Sequence, residues 1–218
     1  MFMVQEFIIK NETIVKKERH NIKHSKDNAL EEKEKEKLLE AIRTSRYDAP
    51  TRYKYEVLVL LMMEAGLRIS EALQVRLDWF VETEGEILLR VPDKARDLGN
   101  MKRDWKPKTK AGKREVVFIN KGIGEKVRAF FINNKGIGLL RQRGYAIVNM
   151  FGKQIGQPLL HPHALRSTYA NSLVYAGVNA TTLMYYMGWS NLNVALNYIK
   201  ASNVAARRDI IEKMRSNN

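Results

Sequence analysis

The strongest constraint on the fold is a run of seven apolar residues, Val57 to Met63. Pro50 suits the first turn of a helix and Gly66 suits the position just after one, so the segment from Tyr53 to Met63 is predicted to be helical. The run is too short to cross a bilayer, and the amino terminus lacks the pattern of a signal peptide. A chain of 218 residues with this pattern predicts an intracellular, cytoplasmic protein with one domain and a sizeable core.

Helices are predicted along most of the remaining chain. Asp27 can cap a helix that continues to about Ser45, and Ser70 can cap a short helix through Leu77. Further helices are predicted over residues 122–133, 139–152, 163–176, 180–187, 191–200 and 203–215. In the last quarter, glycines mark helix ends and polar residues mark the next starts, in the order Gly177, Asn179, Gly188 and Ser190.

Two strands interrupt the helical pattern. Ile87 to Val91 and Glu115 to Ile119 are rich in β-branched and aliphatic residues, and a long basic loop joins them. The predicted fold class is therefore mainly α with a small antiparallel β-hairpin, an α+β arrangement. One compact domain is expected over residues 27–218, after a short basic lead-in over residues 1–26.

Positive charge is concentrated in the second part of the chain. The chain has 38 Lys and Arg against 24 Asp and Glu, a formal charge of +14. Residues 1–89 hold 15 basic and 17 acidic side chains, residues 90–114 hold 10 and 3, and residues 115–218 hold 13 and 4. Such a field attracts polyanions, of which nucleic acid is the commonest large one in a cell. The alternative is a generally basic surface with no specific partner.

Composition also narrows the chemistry. The chain has no cysteine, which excludes disulfides, thiolate metal sites and cysteine nucleophiles. The four histidines form no convincing metal constellation, and no phosphate loop of the Walker or GxGxxG type is present. The sequence therefore predicts a protein without a metal, without a small-molecule cofactor and without a membrane partner.

Three short motifs carry groups that can bind or transfer phosphate. Arg68 is followed three residues later by Glu71, which can orient its guanidinium. His163 and Arg166 lie on one helix face near the positive helix start. Lys110 lies in the loop between the two strands and can reach over a bound substrate. Each motif has a plainer interpretation: a surface ion pair, a structural histidine, or one more lysine on a basic loop where Lys108 and Lys113 compete with Lys110.

Four segments in a fixed order resemble the tyrosine recombinase family. They are GLRISE, KTKAGKREVVFI, HALR and MGWSNLNVALNYI, the last with Tyr198 nine residues past Trp189. Integrases of this family, many from archaeal or bacterial mobile elements, share this order in a mostly helical catalytic domain. The resemblance covers roughly residues 27–218. Type IB topoisomerases share ancestry with the family and use similar residues.

The resemblance implies a catalytic set and its roles. Arg68 and Arg166 would bind the scissile phosphate, with Glu71 supporting Arg68. Two guanidinium groups can balance the charge of a pentavalent phosphorane, so the reaction needs no metal. The remaining members of the implied set are Lys110, His163, Trp189 and Tyr198.

In that set, Tyr198 would attack phosphorus to form a 3′-phosphotyrosyl link, Lys110 would protonate the leaving 5′ oxygen, and His163 would assist proton transfer. The sequence departs from the usual pattern at two positions. Trp189 occupies the place of a frequent second histidine, and its indole N–H can donate a hydrogen bond but cannot shuttle a proton. Trp189 is therefore either a support of the site or a plain core aromatic residue. Ser167 also replaces a frequent histidine.

The predicted partner is double-stranded DNA. The resemblance also implies that the protein associates with itself, as a tetramer on DNA, and the segment from Asn203 to Met214 could supply such a contact or cover its own core. Family members usually carry a further amino-terminal helical domain, and its absence here predicts either an excised catalytic domain or a minimal enzyme. Residues expected to contact DNA lie in the basic loop: Lys102, Arg103, Lys106, Lys108, Lys113 and Arg114.

The predicted function is that of a site-specific DNA recombinase, an integrase that cleaves and rejoins strands. Two alternatives remain open from the sequence. One is a DNA-binding regulator that has the same fold without the chemistry. The other is a topoisomerase-like enzyme that cuts and reseals one strand. The set of arginines, lysine, histidine and tyrosine argues against the first.

Overall fold

A computed structural model of the protein describes residues 29–100, 102–201 and 214. In this part of the chain, helices surround a small antiparallel sheet, which confirms the predicted fold class. The helices are α1 (Glu32–Arg43), α2 (Ala49–Met63), α3 (Ile69–Ala72), α4 (Lys121–Asn133), α5 (Arg141–Gln154), α6 (Pro162–Tyr175), α7 (Ala180–Met187) and α8 (Leu192–Ala201). The strands are β1 (Phe80–Thr83), β2 (Glu86–Val91), β3 (Ala95–Arg96), β4 (Asp104–Trp105) and β5 (Arg114–Val117).

Helix α2 is the centre of the core. Each residue from Val57 to Met63 is at most 1% exposed. A helical segment that is apolar on every side needs neighbours on every side, and α2 packs against α1, α4, α5 and α6. The Asp48 side chain accepts a hydrogen bond from the Thr51 amide at 2.8 Å, and Pro50 lies in the first turn. The predicted helix is confirmed.

Helix α1 is fastened to the end of α2 by a buried ion pair. Lys35 Nζ lies 3.0 Å from the carboxylate of Glu64 and 2.9 Å from that of Glu32. Helix α1 begins at Glu32, where the Glu31 amide donates to Glu34 at 2.9 Å. It ends at Arg43, slightly before the predicted end. The proposed cap Asp27 lies outside the described residues.

Helix α3 differs from its prediction. Ser70 was expected to cap it, but the helix begins at Ile69, and the Glu71 carboxylate accepts the amide hydrogen of Arg68 at 2.9 Å. The helix ends at Ala72 instead of continuing through Leu77. A separate 3₁₀ turn follows over residues 77–79.

The predicted hairpin is confirmed and extended. Strands β2 and β5 pair antiparallel, with Leu89 opposite Val116. Strand β1, which was not predicted, pairs with the other edge of β2 and places Phe80 opposite Leu89. Strand β5 ends at Val117 rather than at Ile119. The connecting loop also contains the small ribbon β3–β4.

The boundaries of the last three helices lie close to the predicted residues, with one exception. Gly188 ends α7 in the left-handed region at φ 56°, and the Asn179 side chain caps α7 by accepting from the Thr182 amide at 2.9 Å. Ser190 does not start the next helix. Helix α8 begins at Leu192, and Asn191 occupies the capping position. Apart from Met214, the helix predicted over residues 203–215 lies outside the described residues.

A search of the described residues finds no helix that is both long enough and apolar enough to cross a membrane.

Gly66, which joins α2 to α3, should be intolerant of any side chain. Its φ is +62°, and an added Cβ would lie 2.2 Å from Cδ1 of Tyr169. We expect Gly66→Ala to lower the free energy of unfolding by about 2 to 4 kcal/mol, since both left-handed strain and a steric clash contribute. Gly138→Ala is the matched control, because Gly138 has φ +65° and open space around its Cβ position. Urea denaturation should show the larger loss for Gly66→Ala, and equal losses would show that the Tyr169 ring is not the obstacle.

Candidate active site

Three guanidinium groups converge on the carboxylate of Glu71, which is fully buried. Arg68 Nη1 lies 2.8 Å from Oε1, Arg114 Nη2 lies 2.9 Å from Oε2, and Arg166 Nη1 lies 3.8 Å from Oε2. Burial by itself would raise the pKa of this carboxyl. The three cations, with Arg114 first, outweigh that effect and lower the pKa to about 2. The cluster therefore holds three positive charges and one negative charge.

Arg166 is the deepest of the three arginines. It is 1% exposed, and it donates to the backbone carbonyls of Gly66 and Met187. Its Nε has no hydrogen-bond partner in the described structure. Burial lowers the pKa of its guanidinium and Glu71 opposes that shift, so the group stays protonated at neutral pH. A buried donor without a partner is unfavourable.

Arg68 forms the more accessible edge of the cluster. Its side chain is 19% exposed. Nη2 donates to the carbonyl of Gly188 at 3.0 Å, so the arginine ties α3 to the end of α7. The predicted pairing of Arg68 with Glu71 is present in the structure, as a contact inside the protein rather than on its surface.

Tyr198 lies next to this cluster on α8. Its hydroxyl is 2.8 Å from Oγ of Ser167, and its charged form would interact with Arg166. Its ring stacks on Trp189 with the ring centroids 5.1 Å apart and 25° between planes. Tyr198 is 4% exposed and Ser167 is fully buried. The structure thus brings Tyr198, Trp189 and Arg166 together.

His163 lies in the first turn of α6, as predicted. The preceding His161 occupies the capping position and accepts from the Ala164 amide through Nδ1 at 3.0 Å. The ring of His163 keeps contact with solvent. Desolvation of its inner side lowers its pKa, and the charges of Arg166, His161, Arg68 and Lys108 lower it further. His163 is therefore uncharged at neutral pH and can accept a proton.

The candidate lysine lies in an exposed turn of the basic loop. Lys110 opens a 3₁₀ turn that ends at Gly112. Beside it lies an open cavity of about 460 Å³ with four lysines and one carboxylate in its wall. The residues that line it are Asp93, Lys106, Pro107, Lys108, Thr109, Lys110 and Lys113. Lys108 is the lysine whose charge acts on His163, so it competes with Lys110 for a place near the phosphate.

The other expected DNA contacts divide into exposed and buried side chains. Lys102, Lys106 and Lys113 are exposed. Arg103 is also exposed, with its Nε 2.8 Å from Asp97. Arg114 is different and corrects the expectation of an exposed side chain: it is 3% exposed, and its guanidinium is hydrogen-bonded to Glu71.

Two residues of the site were misjudged from the sequence. The sequence predicts that Arg114 contacts DNA together with the lysines of the basic loop, and it predicts for Ser167 only that it replaces a frequent histidine. Strand β5 alternates between buried and half-buried positions, which puts Arg114 on the same face as Val116. An arginine at the apolar period of a strand was the available signal. For Ser167 there was no comparable signal, because its contact with Tyr198 joins positions 31 apart in the chain.

The described residues contain no group of three or more His, Asp or Glu side chains that could hold a metal ion.

Comparison with known proteins gives one consistent result. The model of the phage integrase family matches residues 28–204. The chain is 28% identical over 160 residues to the tyrosine recombinase XerD of Neisseria meningitidis serogroup B, which covers 72% of this chain and 54% of that protein. It is 27% identical over 193 residues to the transposase of transposon Tn916 from Enterococcus faecalis, covering 78% and 46%. The chain thus spans about half the length of the curated relatives it matches.

A solved structure shows the same fold. The integrase of transposon Tn1549, in complex with transposon right end DNA, superposes with a TM-score of 0.62 at 20% identity. The match covers 86% of this chain and 66% of that one. The expectation of a tyrosine recombinase catalytic-domain fold is therefore confirmed.

Glu71 should give the protein a pH-dependent stability. Its pKa lies at about 2 in the folded protein against an ordinary value of 4.5, so the unfolded chain takes up the proton first as the pH falls. The stabilisation is fully present above pH 4.5, is lost towards pH 2, and amounts to about 3 kcal/mol. Urea denaturation between pH 2 and pH 7 should show a stability difference between wild type and Glu71→Gln that narrows below pH 4.5. Glu125→Gln, on an exposed part of α4, is the control, and a difference that stayed constant with pH would contradict this account.

Proposed function

We propose a function from one established premise: the chain belongs to the phage integrase family. On that premise it is a site-specific DNA recombinase of the tyrosine type, which cleaves and rejoins strands through a 3′-phosphotyrosyl intermediate. The recombinase and the transposase among its relatives support this assignment. Because the chain spans about half of their length, its activity, substrate and partners are proposals.

The observation that carries the proposal is the excess of positive charge around Glu71. Arg114 and Arg166 are buried almost completely, where an unbalanced charge is costly. One carboxylate cannot balance three guanidinium groups, and a phosphodiester supplies the missing negative charge. The phosphorane of the transition state carries more charge than the diester. Groups arranged in advance therefore stabilise it more strongly than they stabilise the substrate.

The reaction proposed for this site is an in-line displacement at phosphorus. The Tyr198 oxygen forms a bond to phosphorus while the bond to the 5′ oxygen breaks, which leaves a 3′-phosphotyrosyl link and a free 5′ hydroxyl. A free phenol has a pKa of about 10 and attacks poorly at neutral pH, so its proton must be taken up during attack. His163 is the proposed acceptor, and Lys110 is the proposed donor to the leaving oxygen.

The remaining residues bind and orient the reacting groups. Arg68 and Arg166 are proposed to bind the non-bridging phosphate oxygens, Arg68 from the accessible edge and Arg166 through its unpartnered Nε. Trp189 stacks on Tyr198 and is proposed to fix the ring near the phosphate. The contact of Tyr198 with Ser167 adds a second restraint on the nucleophile.

Double-stranded DNA is the proposed partner. The cavity beside the Lys110 turn has four lysines in its wall, and further exposed cations follow in the same loop. Contacts of this kind bind backbone phosphates, so affinity should fall steeply with salt. Assembly of several copies on DNA inside the cell belongs to the same proposal and is supported by the family assignment.

Tyr198→Phe tests the nucleophile. We expect the variant to form no covalent adduct with a nicked suicide duplex, because the attacking oxygen is gone, and to bind DNA nearly as well as wild type. Denaturing gel electrophoresis detects the adduct. Ser167→Ala is the matched control, since it removes the same hydrogen bond and keeps the phenol. Adducts formed by Tyr198→Phe would move the role to another tyrosine, such as Tyr185 or Tyr186.

Lys110→Ala tests the general acid. A general acid contributes about 100- to 10,000-fold to rate when the leaving group is poor. We expect cleavage by Lys110→Ala to slow to this extent with an ordinary substrate and to recover with a 5′-bridging sulfur, which departs without a proton. Lys108→Ala and Lys113→Ala should mainly change the salt dependence of binding. If the 5′-bridging sulfur restored cleavage by Lys108→Ala and not by Lys110→Ala, the general acid would be Lys108 instead.

A further inference from the structure

We infer that Arg114 is a positioning residue: it holds the turn that carries Lys110 in register with the phosphate-binding Arg68. The inference rests on the proposed function. It assigns to a buried arginine a role in catalysis that does not require contact with DNA. Arg114 lies at the start of β5, four residues after Lys110, and is 3% exposed.

The Arg114 guanidinium joins three separate segments. Nη2 and Nη1 donate to the two oxygens of Glu71 at 2.9 and 3.3 Å. Nε donates to the carbonyl of Tyr186 at 2.8 Å, near the end of α7. Nη1 also donates to the carbonyl of Gly112 at 2.8 Å, in the last position of the Lys110 turn. The turn, the buried carboxylate and the end of α7 therefore share one planar group.

Gly188 shows how closely the turn approaches the phosphate site. A Cβ at Gly188 would lie 2.8 Å from the carbonyl oxygen of Ala111, so the turn packs directly against this glycine. The carbonyl of the same glycine accepts from Arg68 Nη2 at 3.0 Å. The Lys110 turn therefore packs against Gly188, and Arg68 donates a hydrogen bond to the carbonyl of the same residue. The Arg114 side chain packs against the same glycine, with its Nη1 3.1 Å from the Cβ position of Gly188.

Loss of the Arg114 guanidinium should affect Arg68 and the turn that carries Lys110 unequally. Arg68 has its own bond to Glu71 at 2.8 Å, which does not pass through Arg114. The carbonyl of Gly112, by contrast, receives its side-chain hydrogen bond from Arg114. A lysine at position 114 keeps the charge beside Glu71 but cannot donate in three directions from a rigid plane. In this variant we expect the Lys110 turn to shift while Arg68 still binds the phosphate.

The test measures cleavage of two nicked suicide duplexes by Arg114→Lys, one with an ordinary 5′-bridging oxygen and one with a 5′-bridging sulfur. We expect the variant to cleave the oxygen substrate about 10- to 100-fold more slowly than wild type, because proton donation to the leaving group is impaired. The sulfur substrate should be cleaved within a few-fold of wild type. Arg90→Lys is the matched control, an exposed arginine on the neighbouring strand paired with Glu115, and should match wild type on both substrates.

Three results would overturn the inference. Equal slowing on both substrates would mean that Arg114 acts through phosphate binding or folding alone. Unchanged rates on both would mean that the turn does not depend on it. Slowing that disappears at saturating DNA would mean that Arg114 acts on DNA affinity.

A second variant covers the case in which Arg114→Lys is unfolded at the assay temperature by circular dichroism. In Gly112→Ala the new Cβ would lie 2.5 Å from Cβ of Pro107, so we expect the turn to be displaced. The hydrogen bonds between Arg114 and Glu71 do not involve Gly112, so we expect them to persist. The same selective loss on the oxygen substrate is expected. Equal loss on both substrates would again overturn the inference.

The experiment separates this inference from the proposed function. If wild type forms no adduct with either duplex, the proposed function fails. If wild type cleaves both and Lys110→Ala is rescued by sulfur while Arg114→Lys is not, the inference alone fails. If Lys110→Ala is not rescued, the positioning role is overturned together with the lysine assignment, while recombinase activity stands.

Discussion

The Glu71 carboxylate holds the site together, because it is the anion on which Arg68, Arg114 and Arg166 converge. A buried carboxylate with three cationic neighbours must stay ionised, and its low pKa expresses that. Net positive charge remains after this carboxylate is counted against the three guanidinium groups. The proposed function assigns the balance of this charge to a phosphodiester.

The same carboxylate explains why distant parts of the chain meet. Helix α3 supplies Glu71, strand β5 supplies Arg114 and helix α6 supplies Arg166. Backbone carbonyls at the end of α7 accept from the arginines, so the glycine that ends this helix becomes part of the site. Helix α8 then follows after a short connection and brings its tyrosine against the cluster. Because each segment is bonded to the next, the positions of the proposed acid, base and nucleophile depend on one another.

Burial strengthens the electrostatic interactions of this network and also imposes a desolvation cost on its charged groups. Two of the three arginines have almost no contact with water, so their charges are poorly screened and would act strongly on the proposed phosphate. The cost of desolvation is offset in part by the hydrogen bonds that Arg114 and Arg166 donate, although Nε of Arg166 has no partner among the described residues. The central helix α2 provides the support, since its apolar segment from Val57 to Met63 is buried, the helix packs against four other helices, and the carbonyl of the nearby Gly66 accepts from Arg166.

Sequence alone determined the helical frame, the central hairpin and the order of the four motifs that resemble the family. These features depend on neighbours within a few residues: the apolar run of α2, the glycine that ends α7 and the asparagine that caps it. Only the tertiary structure decided that Arg114 is buried beside Glu71, that strand β1 extends the sheet, and that Ser167 bonds Tyr198. Arginine is most often a surface residue, so the sequence predicts that Arg114 is exposed together with the lysines of the basic loop. Its actual position depends on a carboxylate 43 residues earlier, and that pairing exists only after the strands and helices have packed.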